Sequence, residues 1–200
     1  MRRTVELGEG VRMELALIPA GEFVMGDAAG EADERPVARV KIGRPFWMGT
    51  CEVTNRQHAR FDPAHDSRFE SKNGYQFGVE GFWLNRPEQP AVRVSWRRAM
   101  AFCPWLSEKT GQAFSLPTEA QWEWACRAGT ASPFWYGGLQ SDFSPFANVA
   151  DAKLREFATD PHTIYDPVPS PTKYDDWIPR DDRFNDGGLV TVDGGSYRPN

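Results

Sequence analysis

The chain has 200 residues and a formal charge of -5, with 23 Lys and Arg interspersed among 28 Asp and Glu. That balance excludes the basic face a nucleic-acid partner needs. Glu6, Glu9 and Glu14 interrupt the N-terminal segment where a signal peptide or membrane span needs an unbroken apolar run, which points to a cytoplasmic protein with no membrane partner.

Gly (18) and Pro (16) are over-represented for an average chain, and 8 Trp are present, a mixture that predicts one loop-rich domain rather than a helical bundle. Residues 12–26, RMELALIPAGEFVMG, alternate apolar and polar side chains around Pro19-Ala20-Gly21, which predicts a hairpin. Residues 37–42 alternate again and face PFWMGTCEV across Gly43-Arg44, a second expected strand pair. Thr54 is placed to cap a short helix, NRQHARF, that Asp62-Pro63 ends. Residues 64–89 lack a period and read as a long ordered loop.

Two better-marked helices follow. Ser95 caps the first, whose expected buried face is Trp96, Ala99, Met100, Cys103 and Leu106, with Gly111 after the last turn and Pro104 expected to kink or break it. Thr118 and Gln121 form a capping-box pair at the start of the second, which ends at Gly129. Trp122 is expected in the core and Trp124 against a different layer, although these rings beside Glu119 and Glu123 could also make a platform for a cation or a sugar. Beyond Ala131 helical periodicity is lost, and Asp175, Asp176, Asp181, Asp182 and Asp186 cluster around Trp177 and Phe184.

His58, His65 and His162 do not offer the close spacing of a hydrolytic zinc site, and no His-Glu-x-x-His occurs. Ser196 follows two glycines but precedes Tyr197 and Arg198, so no serine-nucleophile elbow is present, and no glycine-rich phosphate loop exists. Cys51, Cys103 and Cys126 match no zinc pattern and read as free buried thiols. Asn148 and Asp186 are plausible oxygen donors to calcium, against the plainer reading of a solvated acidic loop.

Five segments in order, IPAGEFVMG (18–26), ERPVARV (34–40), PFWMGTCEVTN (45–55), QPAVRVSWRRAMAFCPWLS (89–107) and LPTEAQWEWACRAGT (116–130), resemble the formylglycine-generating-enzyme, or sulfatase-modifying-factor, family. The resemblance implies an α+β, C-type-lectin-like fold with short antiparallel strands and two main helices, forming a single domain over residues 1–200 that is incomplete at its C-terminal end. It implies a structural calcium ion held by the Asn148 and Asp186 side chains and the Val149 and Gly188 carbonyls. Its activity is oxygen-dependent oxidation of a substrate cysteine to formylglycine in a sulfatase-like peptide or protein, with copper held by two C-terminal cysteines. Neither of those maps onto this chain, so no catalytic residue is assigned and the chain by itself is expected to be inactive. Cys103 and Cys126 stand where some relatives form disulfides with C-terminal cysteines, and Cys51 has no matching role. The alternative on the same scaffold is a non-catalytic, lectin-like ligand- or protein-binding module. A sulfoxide synthase of the ergothioneine type would need a helical, histidine-bearing iron domain that this sequence does not contain.

Overall fold

The computed structural model describes residues 1–70, 75–76, 83–156 and 179–200. His162, Asp175, Asp176 and Trp177 lie outside them, as does part of the 64–89 stretch. In chain order the elements are β1 (Arg2–Gly8), β2 (Val11–Ile18), β3 (Gly21–Met25), β4 (Ala38–Ile42), β5 (Phe46–Gly49), α1 (Asn55–Ala59), β6 (Phe69–Glu70), β7 (Tyr75–Gln76), α2 (Trp96–Thr110) and α3 (Glu119–Arg127). Small antiparallel sheets, short helices and long connections make this a loop-rich α+β fold. The chain divides into two compact units: Met1–Cys51 with Ser95–Ser141 and Asn200, and Glu52–Val94 with Asp142–Pro199.

In the first unit β1, β2 and β5 form one antiparallel sheet in that spatial order, while β3 and β4 form a separate pair. The expected hairpin over residues 12–26 is therefore not formed, and neither is the pairing of β4 with β5. The strands are where the alternation places them, but their partners differ. β2 pairs along its length with β1 (Val5 opposite Met13) and with β5 (Leu17 opposite Trp47), and the chain changes sheet at Pro19, whose missing N–H cannot extend a ladder. The β1–β2 turn is made by Gly8, Glu9 and Gly10, all at positive φ, a local signal of tight reversal. Val5, Leu7, Met13 and Leu15 alternate onto one buried face, and α2 packs against β1.

Ser95 accepts a hydrogen bond from the Arg98 N–H at 3.2 Å to start α2, which continues to Thr110 and closes on Gly111 in the left-handed region. Pro104 does not break this helix. Phe102, Cys103 and Leu106 are buried on either side of it, so packing outweighs the one hydrogen bond that proline forfeits. Trp96 and Met100, expected on the buried face, are exposed, because that face is centred on Phe102 and Cys103.

The α3 cap forms as the sequence predicts: the Gln121 N–H donates to Thr118 Oγ1 at 3.2 Å and the Thr118 N–H to Gln121 Oε1 at 3.0 Å. Trp122 is 56% exposed, which overturns its expected core position. Trp124 takes the packed role, its ring 5.6 Å from Phe23 and its indole N–H donating to the Pro19 carbonyl at 2.8 Å. The indole lies so close over Gly21 that a Cβ there would meet Trp124 Cζ2 at 2.5 Å, so the glycine is what lets helix and strand approach.

The second unit contains α1, which has the predicted Thr54 cap and a full capping box with Gln57. Its irregular part is held by side-chain to backbone bonds. Gln89 donates to the Thr191 carbonyl at 2.6 Å, and Asn55 Nδ2 reaches the Leu84 and Arg86 carbonyls, each at 3.0 Å. Phe143, buried, meets Phe184 edge to face at 5.4 Å.

Candidate functional site

Asn148, Val149, Asp186 and Gly188, some forty positions apart in two loops of the second unit, are brought together. The two Asp186 carboxylate oxygens accept from the Val149 N–H at 2.8 Å and the Gly188 N–H at 2.7 Å. Asn148 Nδ2 donates to the Val190 carbonyl at 2.6 Å, which leaves Oδ1 as the amide's free-facing acceptor type. Gly188 is close to Asn148: a Cβ at Gly188 would stand 3.1 Å from Asn148 Cγ.

Behind these four lies Asp151, which sequence reasoning missed. It is 1% exposed, and its carboxylate accepts from the N–H groups of Asp186 and, at 2.8 Å, Lys153. The neighbouring backbone is stitched as well, with Asp181 N–H on the Ala150 carbonyl at 2.9 Å and Ala152 N–H on the Phe184 carbonyl at 3.2 Å. Asp151 stands just before the 3-10 helix Ala152–Glu156 and accepts from its Lys153 N–H, a local arrangement, whereas its bond to the Asp186 N–H is revealed only by the fold. Tyr197 borders the group, its hydroxyl 3.4 Å from Asp186 Oδ1, and burial followed by the Asp186 charge pushes its pKa up to about 12. It stays a neutral phenol at physiological pH.

The side chains of Asn148 and Asp186 carry oxygen donors of the kind calcium takes, roughly six to eight at a time, while both Asp186 oxygens here already accept backbone N–H groups. The close approach at Gly188 keeps its backbone within reach of the Asn148 amide.

All three cysteines are free. Cys103 is buried in α2 with Sγ 3.5 Å from the Ala99 carbonyl, and burial pushes its thiol up. Cys126 is also pushed up, first by desolvation, with the Arg127 charge pulling it back and the Glu123 charge adding to the rise. Cys51 and Cys126 are exposed, not buried as the composition suggested. Brief treatment with iodoacetamide at mildly alkaline pH should therefore label Cys51 well ahead of Cys103, read by peptide mass mapping; equal labelling of a folded chain would contradict the burial of α2.

In the first unit β3, β4 and α3 enclose a cleft of about 1150 Å³. Glu119, Glu123 and Trp124 line it, whereas Trp122 does not, so only part of the aromatic and acidic group noted in the sequence is assembled. Its charges are largely internal: Glu123 pairs with Arg127 at 2.7 Å and Glu22 with Arg39 at 2.9 Å.

His58 and His65, set aside on spacing, are neighbours in the second unit, with ring centroids 4.6 Å apart and Asp62 beside them. Positions 58, 62 and 65 stand at i, i+4 and i+7, a spacing that the fold rather than the histidines alone brings together; His162 lies outside the described residues.

Comparison with known proteins fits the same frame. Residues 8–197 match the Sulfatase-modifying factor enzyme 1-like domain. The chain belongs to this family. It is 34% identical over 154 residues to the formylglycine-generating enzyme of Streptomyces coelicolor, covering 57% of this chain and 47% of that protein. It is 30% identical over 181 residues to the formylglycine-generating enzyme of Bos taurus, covering 70% and 44% respectively. The chain thus spans slightly less than half the length of these two relatives. PvdO from Pseudomonas aeruginosa shares the fold at a TM-score of 0.67 and 23% identity, over 99% of this chain and 67% of that one. Among the described residues, no helix is long and apolar enough to cross a membrane.

Proposed function

We propose that this domain is the scaffold for oxygen-dependent oxidation of a cysteine to formylglycine in a sulfatase-like peptide or protein. The observation that carries the reading is the family match over residues 8–197 together with formylglycine-generating enzymes among the relatives at 30% and 34% identity. In such a reaction copper, held by a pair of thiolates, supplies the oxygen chemistry. In this proposal that role falls to none of Cys51, Cys103 and Cys126, of which Cys103 is buried within α2 while the other two are exposed. The contribution of this chain is the framework and, by family resemblance, a calcium ion on Asn148, Asp186 and the carbonyls of Val149 and Gly188, two residues whose N–H groups donate to the Asp186 carboxylate.

Calcium titration of the chain is expected to show one bound ion and a raised Tm, with both lost in Asp186→Asn. Binding unchanged in a folded Asp186→Asn protein would remove the calcium part of the proposal. The activity is tested with the gene product that carries this domain, loaded with copper and given a Cys-x-Pro-x-Arg peptide in air. Hydrazide-trapped aldehyde on the peptide is the expected result. A folded, calcium-bound protein that yields none would point instead to a lectin-like binding module on the same scaffold.

A further inference from the structure

We infer that His58, Asp62 and His65 form a second metal site, chemically distinct from the oxygen cluster, for a zinc-class divalent ion. The chain keeps a helical path past the end of α1: the Asp62 N–H reaches the His58 carbonyl at 2.9 Å, and the His65 N–H then reaches the Asp62 carbonyl at 3.1 Å. That path sets the three side chains on one side. One ligand atom from each lies within 4.8 Å of the other two. Around a tetrahedral zinc bonded at about 2.1 Å, ligand atoms stand about 3.4 Å apart. Side-chain rotation supplies the remaining approach.

His65 is anchored at one ring nitrogen, as metal-ligating histidines are. Its Nε2 lies 3.0 Å from the Val92 carbonyl and 3.3 Å from Ser67 Oγ. A carbonyl only accepts, so Nε2 donates there, and in a neutral ring Nδ1 is the nitrogen left for a metal. Val92 is itself fixed, its N–H donating at 3.0 Å to Ser67 Oγ, and Ser67 is fully buried and donates on to Asn55 Oδ1 at 2.6 Å. An imidazole whose far nitrogen donates to a backbone carbonyl is the supporting arrangement that zinc ligands use.

Burial and donor chemistry point the same way. His58 is 3% exposed and its ring meets that of His65 at 62°. Two imidazole rings and one carboxylate bring nitrogen and oxygen donors to one place. Nitrogen donors disfavour calcium and suit zinc, and three protein ligands leave a fourth position for water or a substrate group.

The test is dialysis of the chelator-stripped chain against zinc, followed by metal analysis. One zinc per chain is expected, with affinity reduced about 100-fold or more in His65→Ala and Asp62→Asn, which exceeds the usual effect of a supporting residue. His162→Ala and Asp186→Asn should bind zinc as the unaltered chain does, which separates this site from other histidines and from the calcium cluster. Circular dichroism establishes that each variant is folded. Because a variant at a buried site can unfold, the unaltered chain is also loaded with cobalt(II), whose visible d–d absorption should show a low-coordinate site with nitrogen ligands. The inference is overturned by a chain that retains no zinc, by folded His65→Ala and Asp62→Asn proteins that bind it undiminished, by loss of zinc in His162→Ala, or by a cobalt spectrum no different from that of the aqueous ion.

Discussion

Asp151→Ala is expected to cost about 3–5 kcal/mol, since it strands two backbone N–H groups that a buried carboxylate now accepts, and hydrogen bonds to charged groups contribute roughly 1.5–3 kcal/mol each. The donors are those of Lys153 and Asp186, and the carboxylate is almost fully inaccessible, so water cannot replace it. The effect reaches the candidate calcium cluster through Asp186, whose N–H bonds to Asp151 while its carboxylate orients Val149 and Gly188. Asp151→Asn should lose roughly half as much, because it retains one acceptor oxygen. Urea unfolding followed by tryptophan fluorescence reads both. A loss under about 1 kcal/mol for the alanine variant would mean that Asp151 does not tie the two loops.

Gly26→Ala should be comparably damaging in the first unit. Gly26 sits at φ 91°, and a Cβ there would lie 2.3 Å from the Glu34 carbonyl oxygen, a backbone atom that cannot swing aside. That oxygen also accepts the Asp27 N–H at 3.2 Å, so moving it would break the turn that leads from β3 towards β4. Strain in the left-handed region together with overpacking predicts a loss of about 2–5 kcal/mol. Gly10→Ala is the control: φ is 74° but nothing lies within 4 Å of the added Cβ. It should lose only about 1 kcal/mol, from backbone preference alone. Equal Tm shifts for the two variants would show that the clash at Gly26 relaxes away.

What was readable in the sequence follows from range. The caps at Thr54, Ser95 and Thr118 involve residues three positions apart, so their chemistry is complete within a few letters. Strand positions were legible for the same reason, because alternation is local. Strand partners were not. β2 chooses β1 and β5 over its neighbour β3, a decision made by the buried face shared by Val5, Leu7, Met13 and Leu15. The exchange of roles between Trp122 and Trp124 has a similar cause, since Trp124 is selected by Gly21 and Phe23, about a hundred positions away.

The two candidate ligand groups divide along the same line. Asn148, Val149, Asp186 and Gly188 were named through family resemblance, and the fold assembles them. Asp151 belongs to no such pattern, and its importance arises only because Asp186 and Lys153 turn their N–H groups towards it. His58 and His65 were separated by a proline that ends α1 in sequence terms, yet the turn continues through Asp62 and returns His65 to the same side.

In the proposed function these 200 residues act as scaffold, and Cys51, Cys103 and Cys126 do not carry the oxidation. The measurement that tests it most directly is to give the isolated chain, folded and supplied with calcium and copper, a Cys-x-Pro-x-Arg peptide in air, and to probe the peptide for aldehyde. No aldehyde is the predicted result. Formylglycine produced by this chain alone would contradict the account, because the chemistry would then have to come from Cys51, Cys103 or Cys126.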